Sequence, residues 1–205
     1  MMATMEPEAR QLFGTLPVQD EQTTTRLRAR LAAAADREGV LDVVYRTVDT
    51  PLGTLLLAAT EQGVVRVAYA SQGHDAALAQ LAELVSPRIL NAPGRLEGLT
   101  RQLDEYFAHR RRVFDVPLDL QLSKGFRRSV LAHLLEIPYG VTESYAQVAT
   151  AAGRPRAMRA VGTACATNPV PIVVPCHRVV RSDGSFGGYA GGPDAKQSLL
   201  LLEAA

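Results

Sequence analysis

Cys176 and His177 stand side by side in the run Pro175-Cys176-His177-Arg178, a thiol next to an imidazole in a chain of 205 residues. A cysteine attacks as thiolate, and a free thiol with a pKa of about 8.5 is only slightly ionised at pH 7. A neighbouring base, or a low-dielectric pocket holding a proton acceptor, changes that fraction. The preceding stretch, Asn168-Pro169-Val170-Pro171-Ile172-Val173-Val174, is apolar, and its prolines stiffen the backbone that presents the thiol. Alone, a Cys-His pair more often marks a buried structural cysteine. The surroundings have to decide.

Charge is the first of those surroundings. The net charge is only +1, yet from Ser144 to Ser182 there is no Asp or Glu, while Arg154, Arg156, Arg159, Arg178 and Arg181 fall there. So long a stretch without a carboxylate suits a surface that faces phosphates. The two cysteines, Cys165 and Cys176, fit neither a disulfide framework nor a zinc site, and His74, His109 and His133 lack companions, so no metal is expected. Such cysteine usage fits a reducing, cytoplasmic location. With 47% hydrophobic residues the chain can bury a real core. No apolar run approaches the ~20 residues of a membrane helix, and Met1–Arg10 lacks a signal-peptide pattern. No membrane partner is expected.

Three segments follow from patterning. Residues 1–40 read as an extension whose second half, Thr24–Arg37, favours helix, with Leu27, Leu31 and Ala34 on one face. A helix packed loosely on the domain, or frayed, fits better than a DNA-contacting one. Residues 41–118 read as an α/β domain. Val43-Tyr45-Thr47, Thr54–Ala58 and Val64–Tyr69 are short strands joined by tight turns, an antiparallel meander. His74–Leu84 and Leu96–Ala108 are amphipathic helices, and Val113–Leu118 is a candidate further strand. Residues 119–205 are helical: Lys124–Leu135, a break at Ile137-Pro138-Tyr139-Gly140, a helix capped by Ser144, another from Arg156 to Ala166 with Pro155 at its start, and a last one over Asp194–Glu203. Two helices joined by a glycine-containing turn form a helix-turn-helix pattern. The second carries small residues at Ala157, Ala160, Gly162, Thr163 and Ala164 around the long cation of Arg159, a shape suited to a tight groove.

The ordered set Ile137-Pro138-Tyr139-Gly140, Ser144-Tyr145, Arg159-Ala160-Val161-Gly162, Asn168 to Val180, Gly188-Tyr189, Gly191-Gly192, Lys196, Leu199-Leu200 and Glu203 resembles the O6-alkylguanine-DNA alkyltransferases. The likeness spans about Phe126 to Glu203 and extends loosely over 41–117. It implies a ribonuclease H-like N-terminal domain with a small antiparallel sheet and a winged helix-turn-helix-type DNA-binding domain. It also implies direct, stoichiometric transfer of a methyl or alkyl group from O6-alkylguanine, and potentially O4-alkylthymine, in duplex DNA to Cys176. No cofactor is required, the spent protein is inactivated, and a monomer is expected. His177 is implied as the base acting through a water, and Glu203 as the residue that holds the imidazole. Tyr145 is implied as the donor to the leaving base and Asn168 as the tie on the cysteine loop. Arg159 is implied as the finger that fills the space of a flipped nucleotide, with Ala160 and Gly162 facing the minor groove. Tyr189 is implied as a wall of the base pocket, Val179 as a backbone carbonyl and Ala190 as a backbone N–H toward the base.

The chain departs from the pattern at Ala190, where serine is frequent, at Leu131, where tryptophan is usual, and at Ala166 and Thr167, where basic or small polar residues precede Asn-Pro. Three rivals are weaker. A lesion sensor of similar sequence lacks the acceptor cysteine, a cysteine hydrolase takes Cys and His from distant segments, and a transcription regulator needs a further cysteine-rich module. The repair reading requires a thiol open toward the arginine-lined side, and a sealed sulfur argues against it.

Overall fold

The computed structural model describes residues 20–205. Helix α1 (Glu21–Arg37) precedes strands β1 (Val43–Thr50), β2 (Gly53–Ala59) and β3 (Val64–Tyr69). These three pair antiparallel in the order β3-β2-β1, as the alternation and turns require. Helix α2 (His74–Leu84) leads to β4 (Ile89–Asn91), a short edge strand that adds parallel to β1. The sheet is therefore mixed. Three residues are too few to carry a strand signal of their own, and β4 exists because Val43–Tyr45 offers it a free edge. The expected strand over Val113–Leu118 does not form. That segment makes one bridge, Leu118 to Val64, with the Val64 N–H donating to the Pro117 carbonyl at 2.8 Å.

Helix α3 (Glu97–Phe107) buries Leu99, Leu103 and Tyr106. Beyond it come α4 (Phe126–Leu134), β5 (Glu143–Ser144), α5 (Tyr145–Ala151), α6 (Met158–Ala166), a single 3-10 turn at Cys176–Arg178, β6 (Val179–Val180) and α7 (Gly192–Ala204). Ser144 caps α5 through a reciprocal pair: its hydroxyl accepts from the Gln147 N–H, and the Gln147 side chain accepts from the Ser144 N–H. Helix α6 starts later than its proline suggests. Arg154–Ala157 is a turn closed by the Ala157 N–H on the Arg154 carbonyl, so Pro155 lies before the helix. Strand β5 pairs parallel with β6, and Val180 bridges antiparallel to Phe186, which makes a small wing beside α5 and α6.

One continuous apolar core joins the sheet and α3 to α4–α7, running from Leu41 and Leu55 through Tyr106 to Val130, Val161 and Leu199. A second cluster lies between the sheet and α2. Helix α1 packs on the β4 edge with Ala32 buried, while Leu27 (54% exposed) and Leu31 (58%) face outward. The apolar face expected there is turned by one residue. Residues 1–19, the rest of the expected extension, lie outside the described residues. No helix among the described residues is long and apolar enough to cross a membrane.

Candidate active site

The 3-10 turn places Cys176, His177 and Arg178 together, all buried. Asn168, just past the end of α6, folds over the preceding loop. Its Nδ2 donates to the Val174 carbonyl at 2.9 Å and to the Cys176 sulfur at 3.1 Å, and its Oδ1 accepts from the Val170 N–H at 3.0 Å. Between them Ile172 holds φ at 74°, a left-handed conformation that costs a β-branched residue about 1–3 kcal/mol. The loop is thus a strained strap fixed at both ends, and the thiol sits at its exit.

His177 Nε2 lies 2.8 Å from Glu203 Oε1, across from the last turn of α7. The carboxylate takes four further donors. Arg178 gives Nη2 to Oε1 and Nε to Oε2, both at 2.9 Å, Tyr106 gives its hydroxyl to Oε1 at 2.7 Å, and Gly140 gives its N–H to Oε2 at 3.1 Å. Arg178 also donates Nη1 to the Ile137 carbonyl, and Tyr139 its hydroxyl to the Leu202 carbonyl. The break at Ile137–Gly140 is therefore a clamp on α7. Its Gly140, at φ 76°, comes so close to the Glu203 carbonyl that a β-carbon would crowd it at 3.0 Å.

Electrostatics follow from this packing. Burial alone would raise Glu203, but the hydrogen bonds from His177 and Arg178 outweigh it and hold the carboxyl well below its usual range. Burial holds His177 below its usual 6.5 despite that carboxylate. A neutral imidazole facing an ionised carboxylate carries its proton on Nε2, which leaves Nδ1 as an acceptor, and Nδ1 is buried with no partner. Burial pushes the Cys176 thiol up to about 11, against the Asn168 hydrogen bond and the charge of Lys196. The thiol is protonated at neutral pH and has to lose its proton at the moment of attack. Lys196 is wholly buried and donates Nζ to the Val179 carbonyl at 2.5 Å.

A cavity of about 510 Å³ opens between α5, α6 and the segment after β6, lined by Tyr145, Met158, Arg159, Gly162, Arg181 and Gly187 among others. Arg159 is exposed at its rim, and Ala160 and Thr163 are exposed on the same helix. Tyr145 lines the cavity, and burial pushes its hydroxyl up to about 12. Its hydroxyl is buried without a partner and packs so tightly on Gly187 that a β-carbon there would collide with it. Cys176, at 0% exposure, does not line the cavity, and the expected open mouth at the thiol is not present in this conformation. Tyr189 is a buried neighbour of His177, its ring edge-on at 6.3 Å, and is not an exposed wall. Ala190 is half-buried in the turn before α7.

The structure thus brings Cys176, His177, Glu203, Asn168, Val179 and Tyr189 into one cluster, and sets Tyr145, Arg159 and Gly162 around the adjoining cavity. Sequence reasoning missed the binding partners of Glu203. Arg178 counts in the sequence among the cations of a phosphate-facing stretch, and Tyr106 falls within the amphipathic helix over Leu96–Ala108 with no role of its own. The signal for Tyr106 is a hydroxyl on the face that also buries Leu99 and Leu103.

Two family models cover this architecture: the ribonuclease-like domain of 6-O-methylguanine DNA methyltransferase matches residues 43–120, and the DNA-binding domain of the same family matches 125–205. A methylated-DNA–protein-cysteine methyltransferase of Mycolicibacterium paratuberculosis is 42% identical over 78% of this chain and 92% of its own. The chain belongs to the 6-O-methylguanine DNA methyltransferase family. The constitutive enzyme of Bacillus subtilis, another methylated-DNA–protein-cysteine methyltransferase, is 38% identical over 77% of this chain and 92% of its own. Among solved structures, the Mycobacterium tuberculosis OGT in complex with DNA superposes with a TM-score of 0.67 at 39% identity, covering 78% of this chain and 92% of that one. The two family models together match residues 43–120 and 125–205 and leave α1 outside the match.

Proposed function

We propose that the protein repairs DNA by moving an alkyl group from guanine O6 in duplex DNA to the sulfur of Cys176, once per molecule. It acts as a cytoplasmic monomer in three parts: an extension over 1–40, a ribonuclease-like domain over 41–118, and a DNA-binding and catalytic domain over 119–205. The exposed face of α6 enters the minor groove, and Arg159 occupies the space of the nucleotide turned out toward Cys176.

In the displacement, a new S–C bond forms as the C–O6 bond breaks. The thiol proton passes through a water to His177 Nδ1, with Glu203 stabilising the imidazolium. Guanine, the leaving group at the breaking C–O6 bond, takes a proton from the Tyr145 hydroxyl and stays in the strand as the neutral base, and the proton taken up by His177 returns through solvent to the tyrosine. The alkylated base is itself the electrophile, so the reaction is complete without a further reagent. The thioether has no leaving tendency, and the protein is spent.

The observation that carries this reading is that two polar atoms are buried without partners: His177 Nδ1, on the residue next to Cys176, and Tyr145 Oη, on a residue lining the cavity. An unpartnered buried donor or acceptor costs about 1–3 kcal/mol, and these two are the atoms that a proton-transferring substrate would satisfy. The sealed thiol requires one motion. The glycine-rich segment Ser182–Gly188, mostly exposed and held on Tyr145 by Gly187, lifts to join the cavity to Cys176.

Peptide mapping after incubation with a duplex containing O6-methylguanine tests the assignment. The peptide bearing Cys176 is expected to gain one methyl, and Cys176→Ala to bind the duplex normally and transfer nothing. A methyl on Cys165, or none on either cysteine, contradicts it.

A further inference from the structure

Tyr69, the last residue of β3, is 3% exposed and reaches out of the sheet domain into the cysteine cluster. Its hydroxyl lies 2.9 Å from that of Tyr189, and the two rings meet edge to face at 5.9 Å and 69°. The backbone of Gly191 lies against the ring of Tyr69, where a β-carbon would come within 2.6 Å of it. Tyr189 in turn sets its ring edge-on to His177, at 6.3 Å and 87°. A single line of contacts therefore runs from the sheet, through Tyr69 and Tyr189, to the imidazole. The tyrosine hydroxyls are each other's only hydrogen-bond partners, because neither makes another bond among the described residues.

The loop after β6 is thereby divided. Residues 182–184, 186 and 188 are exposed, whereas Tyr189 is buried and Gly191 is pinned. Building on the alkyl-transfer reading above, we propose that Tyr69 is a positioning residue for the transfer step: it fixes Tyr189 against His177 and anchors the C-terminal end of the loop, so that Ser182–Gly188 moves while the imidazole and the buried tyrosine wall stay aligned with Cys176. It touches neither the thiol nor the base and acts through Tyr189.

The test is the single-turnover rate on saturating O6-methylguanine duplex, normalised to the titrated number of active molecules, for Tyr69→Phe, Tyr189→Phe and the double variant. Tyr69→Phe keeps the ring and leaves the Tyr189 hydroxyl buried without a partner. Each single variant is expected to slow the first-order transfer step about tenfold, the effect of one lost buried hydrogen bond expressed at the transition state. Duplex affinity stays within about twofold of wild type. The double variant is no slower than either single one, because the second change removes a hydroxyl already orphaned. If Tyr69→Phe does not fold, Tyr189→Phe orphans the other hydroxyl and carries the same expectation. A wild-type rate per active molecule in the single variants, even with lowered thermal stability, overturns the proposal, as do losses that multiply in the double variant. A wild-type protein that transfers no methyl sinks the repair reading itself, whereas a competent wild type with equally competent variants sinks only the role of Tyr69.

Discussion

At the scale of single residues, the proposed mechanism rests on three groups, two of them (Cys176 and His177) shifted by burial and the third (Glu203) held ionised by its hydrogen bonds. His177 is held neutral below its usual 6.5, so the base is in its working form throughout the neutral range. The transfer rate is expected to be flat near pH 7 and to fall on the acid side, with a midpoint below 6.5. A rate profile with a midpoint above that value contradicts a neutral imidazole base. Stability follows the same sign. Below 6.5 the unfolded chain binds a proton at His177 that the folded chain refuses, and below about 4.5 it binds one at Glu203, so both groups stabilise the fold at neutral pH and that contribution is lost on acidification. Glu203→Gln leaves Arg178 buried without its counter-charge and is expected to cost about 3–5 kcal/mol in urea denaturation while slowing transfer. The acceptor, base and carboxylate were legible because they stand in a recognisable order in the sequence. Arg178 and Tyr106 were not, since the carboxylate's full set of donors comes from three separate segments and no local spacing reports it.

Elements explain where local pattern sufficed and where it failed. The three antiparallel strands, α2 and the Ser144 cap were legible because alternation, turn residues and side-chain capping act within a few positions. Strand β4 and the start of α6 were not, because a neighbouring edge and a turn at Arg154–Ala157 decide them. The orientation of α1 was missed for a similar reason: it is set by packing on β4, not by the stripe of Leu27 and Leu31. The loop after β6 is the element whose motion the proposed reaction needs. Gly187→Ala puts a methyl where the Tyr145 hydroxyl lies, so the loop or the Tyr145 ring has to shift. Its Cys176 is expected to react with iodoacetamide faster than that of the wild type. An unchanged or slower thiol reaction would show that Gly187 does not gate access.

For the whole molecule, the sheet domain is part of the machinery and more than a scaffold. The shared core carries Tyr106 from α3 to Glu203, and the loss of that donor in Tyr106→Phe is expected to cost about 1.5–3 kcal/mol, read by chemical denaturation. The acid-free stretch from Ser144 to Ser182 leaves Arg154, Arg156, Arg159 and Arg181 exposed, while Arg178 is buried against Glu203. Duplex binding is expected to weaken steeply with salt. Arg159→Ala is expected to impair reaction with alkylated duplex far more than with O6-benzylguanine as a free base, and equal losses on both would remove the finger role. The central claim is tested most directly by a stoichiometry: intact mass of the protein, and guanine restored in the DNA, after mixing with excess O6-methylguanine duplex. One methyl per protein molecule and one guanine restored per protein molecule is the predicted result. More guanine than protein, or restored guanine with the protein mass unchanged, would contradict it.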